Sequence, residues 1–194
     1  MNSKSIFHRR VAEIAKKAKS KILAARFASL RLIRVFFLSS LVFSALSAHA
    51  DLKVFATVPE WGALTKVIGG KHVDVFTATG GLQDPHHVDA RPSLIARARN
   101  ADLVVATGVE LEVGWLPVVL RNSGNPQVQP GRPGYFEAAP FVRMLELPTR
   151  LDRADGDVHP GGNPHIHTDP RNFLKIGEAL TARLAQIDAA NASE

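Results

Sequence analysis

The sequence predicts an α/β fold: a parallel-sheet βαβ lobe followed by a long helix. Three observations carry this. Short apolar runs rich in Val, Phe and Thr alternate with helical patterns at about twenty-residue spacing. The runs are apolar on both faces, as strands covered by helices on both sides must be. Pro or Gly stands at most of the junctions. Leu52 to Val58 (LKVFATV) reads as the first strand. Pro59 opens a helix with Glu60 in its first turn, where the unpaired amides favour an acid. Trp61, Leu64, Val67 and Ile68 form its expected apolar stripe, and Gly69-Gly70 ends it. His72 to Ala78 is the second expected strand, Pro92 to Arg99 the second helix, and Asp102 to Thr107 the third strand. Glu110 to Arg121 reads as a helix ending before Gly124. Residues 122–140 and 148–164, rich in Pro and Gly, read as connections around a fourth strand at Phe141 to Leu147. Asp169-Pro170 is an N-cap followed by a first-turn proline, and Phe173, Ile176, Leu180, Leu184 and Ile187 then share one helix face.

The formal charge of +6 suggests an anionic partner until its distribution is read. Residues 1–50 hold ten of the 24 Lys and Arg and a single acid, Glu13; the rest carries 14 bases and 17 acids, net −3. A phosphate-binding surface needs a surplus of cations, so the body of the chain does not read as a nucleic-acid binder. The basic stretch leads into an uncharged apolar run, Val35 to Leu46, and then Ser47-Ala48-His49-Ala50. That order is the pattern of a cleavable signal peptide, with the cut expected after Ala50; the run is too short for the ~20 apolar residues of a membrane span. An organellar transit peptide is the alternative reading of so basic a leader. The chain has no cysteine, which excludes disulfides and thiolate metal sites. Asp51 rather than Cys follows the expected cut, so no lipid anchor and a periplasmic location are expected. The division expected is thus 1–50 leader, 51–169 metal-binding lobe, 170–190 linker helix and 191–194 tail.

Five of the six histidines beyond the leader lie in two loops: His86 and His87 in Gly80 to Pro92, and His159, His165 and His167 in Gly156 to Pro170. Loops at strand ends in α/β sheets gather on one rim, so these imidazoles could converge there. Without cysteine, a zinc site must be built from His with Asp or Glu. The alternative is that Asp84-Pro85-His86 and Pro164-His165 are turn residues with solvated rings. No His-Glu-x-x-His helix, Gly-rich phosphate loop or Gly-x-Ser-x-Gly elbow is present, which argues against a metallohydrolase or another enzyme.

These loops resemble those of the zinc and manganese solute-binding proteins of ABC importers, the metal-binding cluster A-I family. Asp84-Pro85-His86 followed by Asp89 and Pro92 is similar to the family's first ligand loop, and Asn163-Pro164-His165 followed by Asp169-Pro170 to its second. Gly108 to Leu116 (GVELEVGWL) resembles the stretch between them. The resemblance implies His86 and His165 as metal ligands, with His159 and His167 as weaker candidates. It further implies zinc as cargo, manganese less so, and the membrane permease of an ABC importer as partner. The family has two α/β lobes joined by a long helix, with metal between them. The chain is expected to correspond to the N-terminal lobe and the start of that helix, with the second lobe absent. A non-functional or regulatory one-lobe fragment, or a one-lobe zinc buffer, is the alternative. The helix stripe after Pro170 would then lack a covering lobe, so the helix is expected to fold back on the first lobe, dimerise or fray, with a self-associating product expected. His87 is expected to point outward and His72 to be structural.

Overall fold

The computed structural model describes residues 51–150 and 158–193, so the leader and its cleavage site lie outside the described residues. Four parallel strands form one sheet: β1 (Leu52–Ala56), β2 (Val73–Thr77), β3 (Leu103–Ala106) and β4 (Tyr135–Glu137), in the order β2-β1-β3-β4. Leu52 pairs with Val73, Val54 with Leu103 and Val104 with Tyr135. Four helices cover the sheet: α1 (Pro59–Gly69), α2 (Pro92–Arg99), α3 (Leu116–Ser123) and α4 (Pro170–Ile187).

Strand alternation sorts the core into two layers. Leu52, Val54, Ala56, Leu103 and Val105 face α1 and α4, where Trp61, Ile176, Leu180 and Leu184 meet them. Phe55, Val104 and Ala106 face the opposite side and pack against Leu94 and Ala98 of α2 and Leu116, Val119 and Leu120 of α3. All of β3 is buried, which is why its sequence is a continuous apolar run.

Helix α1 starts with Pro59 in its first turn, as expected. Its inward face is Trp61, Leu64, Thr65 and Ile68, whereas Val67 is 81% exposed. At 100° per residue Val67 lies roughly 120° around the axis from Trp61, outside the buried arc. Helix α4 also forms as expected, with Asp169 accepting from the Arg171 amide at 2.9 Å. The Arg171 guanidinium beside it holds the Asp169 carboxyl down at about 2. Of the outcomes expected for the α4 stripe, folding back on the first lobe is the one observed. Ile176, Leu180 and Leu184 are buried, and Phe173 and Ile187 pack against the same core. The helix lies on α1, with Gly177 facing Leu64 and Ile68, and it completes the lobe's own apolar layer. The exposed stripe on which self-association was expected is therefore not present in the described residues.

Two elements differ from expectation. The stretch expected to begin a helix at Glu110 is a series of turns, and α3 starts only at Leu116. Val109 (φ 52°) and Glu110 (φ 65°) sit in the left-handed region, which no α-helix contains. The buried Glu112 carboxylate holds this shape: it accepts from the Thr107 amide (2.8 Å), the Gly108 amide (3.1 Å) and the Thr57 hydroxyl (2.7 Å). The fourth strand is Tyr135–Glu137, inside the stretch expected as a connection, and residues 141–147 form no ladder. Three residues are too few for an alternation to register. In 141–147 the alternation is real, with Val142 and Met144 against the core and Leu145 and Leu147 exposed, but the left-handed Glu146 (φ 53°) breaks the strand geometry.

Candidate metal centre

The turn at 108–115, leaving the C-terminal end of β3, joins the two histidine loops. On one side the indole of the buried Trp115 donates to the Pro85 carbonyl at 2.9 Å, pinning the residue before His86. Val88, also buried, anchors the other side of that loop in the α2/α3 core. Across the turn, Val109 lies beneath Gly161, where a β-carbon would come within 2.8 Å of the valine Cγ1. Gly162 (φ 101°) tolerates only glycine for a further reason: a β-carbon there would sit 2.6 Å from the Leu145 carbonyl oxygen. The strained turn thus fixes the separation of the loops, and the paired glycines let the second loop close over it.

Each loop is locally wound by a side-chain turn. Asp84 Oδ1 accepts from the His86 amide at 2.9 Å and lies 2.8 Å from His86 Nδ1; Oδ2 lies 2.9 Å from His87 Nδ1. These contacts, the His87 ring first, hold the Asp84 carboxyl far below the usual carboxylate range. An ionised carboxylate only accepts, so His86 Nδ1 carries the proton and Nε2 presents its lone pair outward. In the second loop Asn163 Oδ1 accepts from the His165 amide at 2.9 Å, and the Thr168 hydroxyl donates to the His165 carbonyl at 2.8 Å. Ile166 is buried beneath and fixes the ring's starting direction.

The result is a row of imidazoles along a cleft of about 490 Å³. His86 Nε2 lies 3.2 Å from His159 Nε2, with ring centroids 5.2 Å apart. His86 and His165 centroids are 5.4 Å apart, and His165 and His167 5.8 Å. Two imidazoles on one tetrahedral zinc, at Zn–N of 2.0–2.1 Å, have nitrogens ~3.3 Å apart and centroids roughly 5.2 Å apart. The His86–His159 and His86–His165 pairs match that spacing. Among the described residues, no group of three or more His, Cys, Asp or Glu side chains stands already in metal-holding geometry, so closure on an ion requires ring rotation. Burial, then the neighbouring His86, His167 and His159, push the His165 imidazole below its ordinary pKa, which keeps it neutral and able to ligate.

The remaining histidines separate clearly. His87 turns outward, its side chain 76% exposed. His72 lies before β2, at the opposite sheet end from the His86 loop, in a hollow with Leu184 and Asp188. His167 sits behind His165, edge-on to Trp61, with a buried Nδ1 that has no hydrogen-bond partner. Sequence reasoning named the motifs around the supporting residues but not what those residues hold. Asp84, Glu112 and Trp115 all fall in stretches that carry the family resemblance, but the sequence shows no supporting role for them.

Comparison with known proteins identifies the family. The chain is 25% identical over 151 residues to the metal ABC transporter substrate-binding lipoprotein SsaB of Streptococcus sanguinis, covering 76% of this chain and 46% of that protein. It is 26% identical over 164 residues to the manganese ABC transporter substrate-binding lipoprotein PsaA of Streptococcus pneumoniae, covering 75% and 52%. The chain thus spans about half the length of the curated relatives it matches. A crystal structure of ZnuA superposes with a TM-score of 0.58 at 21% identity, over 74% of this chain and 50% of that one, a likeness of fold. The family model described as "Zinc-uptake complex component A periplasmic" matches residues 54–194. Its members are substrate-binding proteins for metal transport rather than enzymes, and the chain belongs to that family.

Proposed function

We propose that the chain captures a divalent transition metal, zinc before manganese, in the periplasm and delivers it to the membrane permease of an ABC importer. In this reading His86, His159 and His165 supply imidazole nitrogens to the ion. The observation that carries it is the spacing of these rings, each pair around His86 standing at the separation that a shared tetrahedral ion imposes. A site of neutral imidazoles favours zinc over the harder, oxygen-preferring manganese. Asp84 performs the outer-shell task, fixing the His86 tautomer so that the lone pair on Nε2 faces the cleft. His167 is the reserve: its unpartnered Nδ1 stands beside the His165 ring, and rotation would offer it to an ion entering the cleft.

The leader supports export, and Asp51 after the expected cut supports a product without a lipid anchor. No helix among the described residues is long and apolar enough to cross a membrane. Isothermal titration of zinc into wild type, His86→Ala, His165→Ala and His72→Ala tests the reading. The first two substitutions are expected to remove most binding and the last to leave it unchanged. Equal affinity in all four would refute the site.

A further inference from the structure

We propose that Glu146 is this chain's own anionic ligand, joining the imidazoles of the same cleft and giving the ion one oxygen donor. The inference rests on the metal-capture reading and adds a residue to it. Among the described residues that line the cleft with His86, His159 and His165, Glu146 contributes the sole carboxylate. Asp84, the other acid close by, is committed to the backs of His86 and His87.

Three observations tie Glu146 to the cleft. Its backbone is held at φ 53°, an uncommon conformation for a residue with a β-carbon, and such strain persists where surroundings enforce it. The surroundings are the second histidine loop: the Leu145 carbonyl accepts from the Asn163 amide at 2.9 Å and closes on Gly162. Glu146 is solvent-exposed like Leu145 and Leu147 on either side, but unlike them it lines the cleft. Its Oε2 accepts from Asn163 Nδ2 at 2.8 Å, and Asn163 Oδ1 in turn holds the amide of His165. Carboxylate and imidazole are thereby tied to the same asparagine.

A carboxylate has about four lone-pair sites, so one bond to Asn163 leaves capacity for an ion. Three neutral imidazoles leave both charges of the cation uncompensated and one tetrahedral position open. Glu146 fills that position and offsets one of the two charges, and its oxygen widens the site toward ions that imidazole alone serves poorly, such as manganese.

The test is Glu146→Gln in the full chain. The glutamine carbonyl still accepts from Asn163, so the loop is preserved while the charge is lost; circular dichroism checks the fold. Zinc affinity is read by competition with a chromophoric chelator, and the ligand set by the visible bands of bound Co(II). The expected result is a zinc Kd raised by roughly 10–100-fold, a larger loss for Mn(II), and a shifted Co(II) band. A Kd within about twofold of wild type, or a weaker Kd with an unchanged Co(II) band, would overturn the proposal, the latter by making Glu146 a positioning residue only. His86→Ala in parallel separates the claims. If it abolishes binding while Glu146→Gln does not, the carboxylate assignment fails alone; if it too is silent, the imidazole site fails with it.

Discussion

Replacing Trp115 with Phe tests how far the fold, rather than the ligands themselves, makes the site. The indole is fully buried, packs 6.5 Å from the Phe55 ring and donates to the Pro85 carbonyl, one residue before His86. Phenylalanine keeps most of the packing but removes the donor. A lost intramolecular hydrogen bond costs ~0.5–1.5 kcal/mol, and the smaller ring leaves a gap costing about another 1 kcal/mol, since full truncation of Trp costs 3–5. The expected destabilisation is about 2 kcal/mol, read as a lower urea midpoint with an unchanged slope. The second effect is on metal. With Pro85 released, the His86 loop keeps its Asp84 turn but loses its tether to the 108–115 turn, and zinc affinity should fall roughly tenfold, about 1.4 kcal/mol. The comparison that matters is with Phe55→Leu, which perturbs the same core without touching Pro85. Equal effects of the two on zinc would mean that general softening, and not the indole tether, acts on the site.

Leu180→Ala should cost ~2–5 kcal/mol in denaturant unfolding, because the side chain is fully buried between α4 and the sheet; a cost below about 0.5 would mean that α4 is not docked on the lobe. Asp84→Asn should weaken zinc by roughly 10–100-fold by calorimetry, whereas His87→Ala, on the outward ring, should change it little. Zinc binding should be lost as pH falls, because only neutral imidazole ligates; since the His165 pKa is lowered by burial, its own contribution should persist below the ordinary value of ~6.5. The same shift has a definite sign for the metal-free chain: the unfolded form takes up the proton first, so stability from this group declines as pH drops below ~6.5 towards the folded pKa. Thermal melts across pH 5–8 that showed rising stability on acidification in wild type but not in His165→Gln would contradict it.

Elements with a strong period were legible in the sequence. The run at Leu103–Ala106 is buried on both faces and that at Leu52–Ala56 at every position but Lys53, and Pro59, Pro92 and Pro170 open helices where the sequence places them. Where reading failed, a tertiary contact overrode a local pattern. Leu111, Trp115, Leu116 and Leu120 suit a helix from Glu110, yet the Glu112 carboxylate binds the strand end behind it and holds 108–110 in the left-handed region. No local signal announces that a buried acid will accept from Thr57, fifty-five residues away. The α4 stripe was legible as a stripe; what it packs against was not, because periodicity names a buried face and never its partner. At the site, His86 and His165 were legible from the Asp-x-His and Asn-Pro-His turns. The closeness of His159 to His86, across 73 residues of chain, needed the fold. So did Glu146, hidden in a stretch that reads as a strand.

The central claim is that one ion is held jointly by rings from both loops, and zinc K-edge X-ray absorption of the metal-loaded chain measures this most directly. Three imidazoles at about 2.0–2.1 Å, with the outer-shell scattering that ordered rings produce, are expected. His86→Ala and His159→Ala should each remove one ring from that count. A spectrum fitted by oxygen donors alone, or one that neither substitution alters, would contradict a site built from these loops.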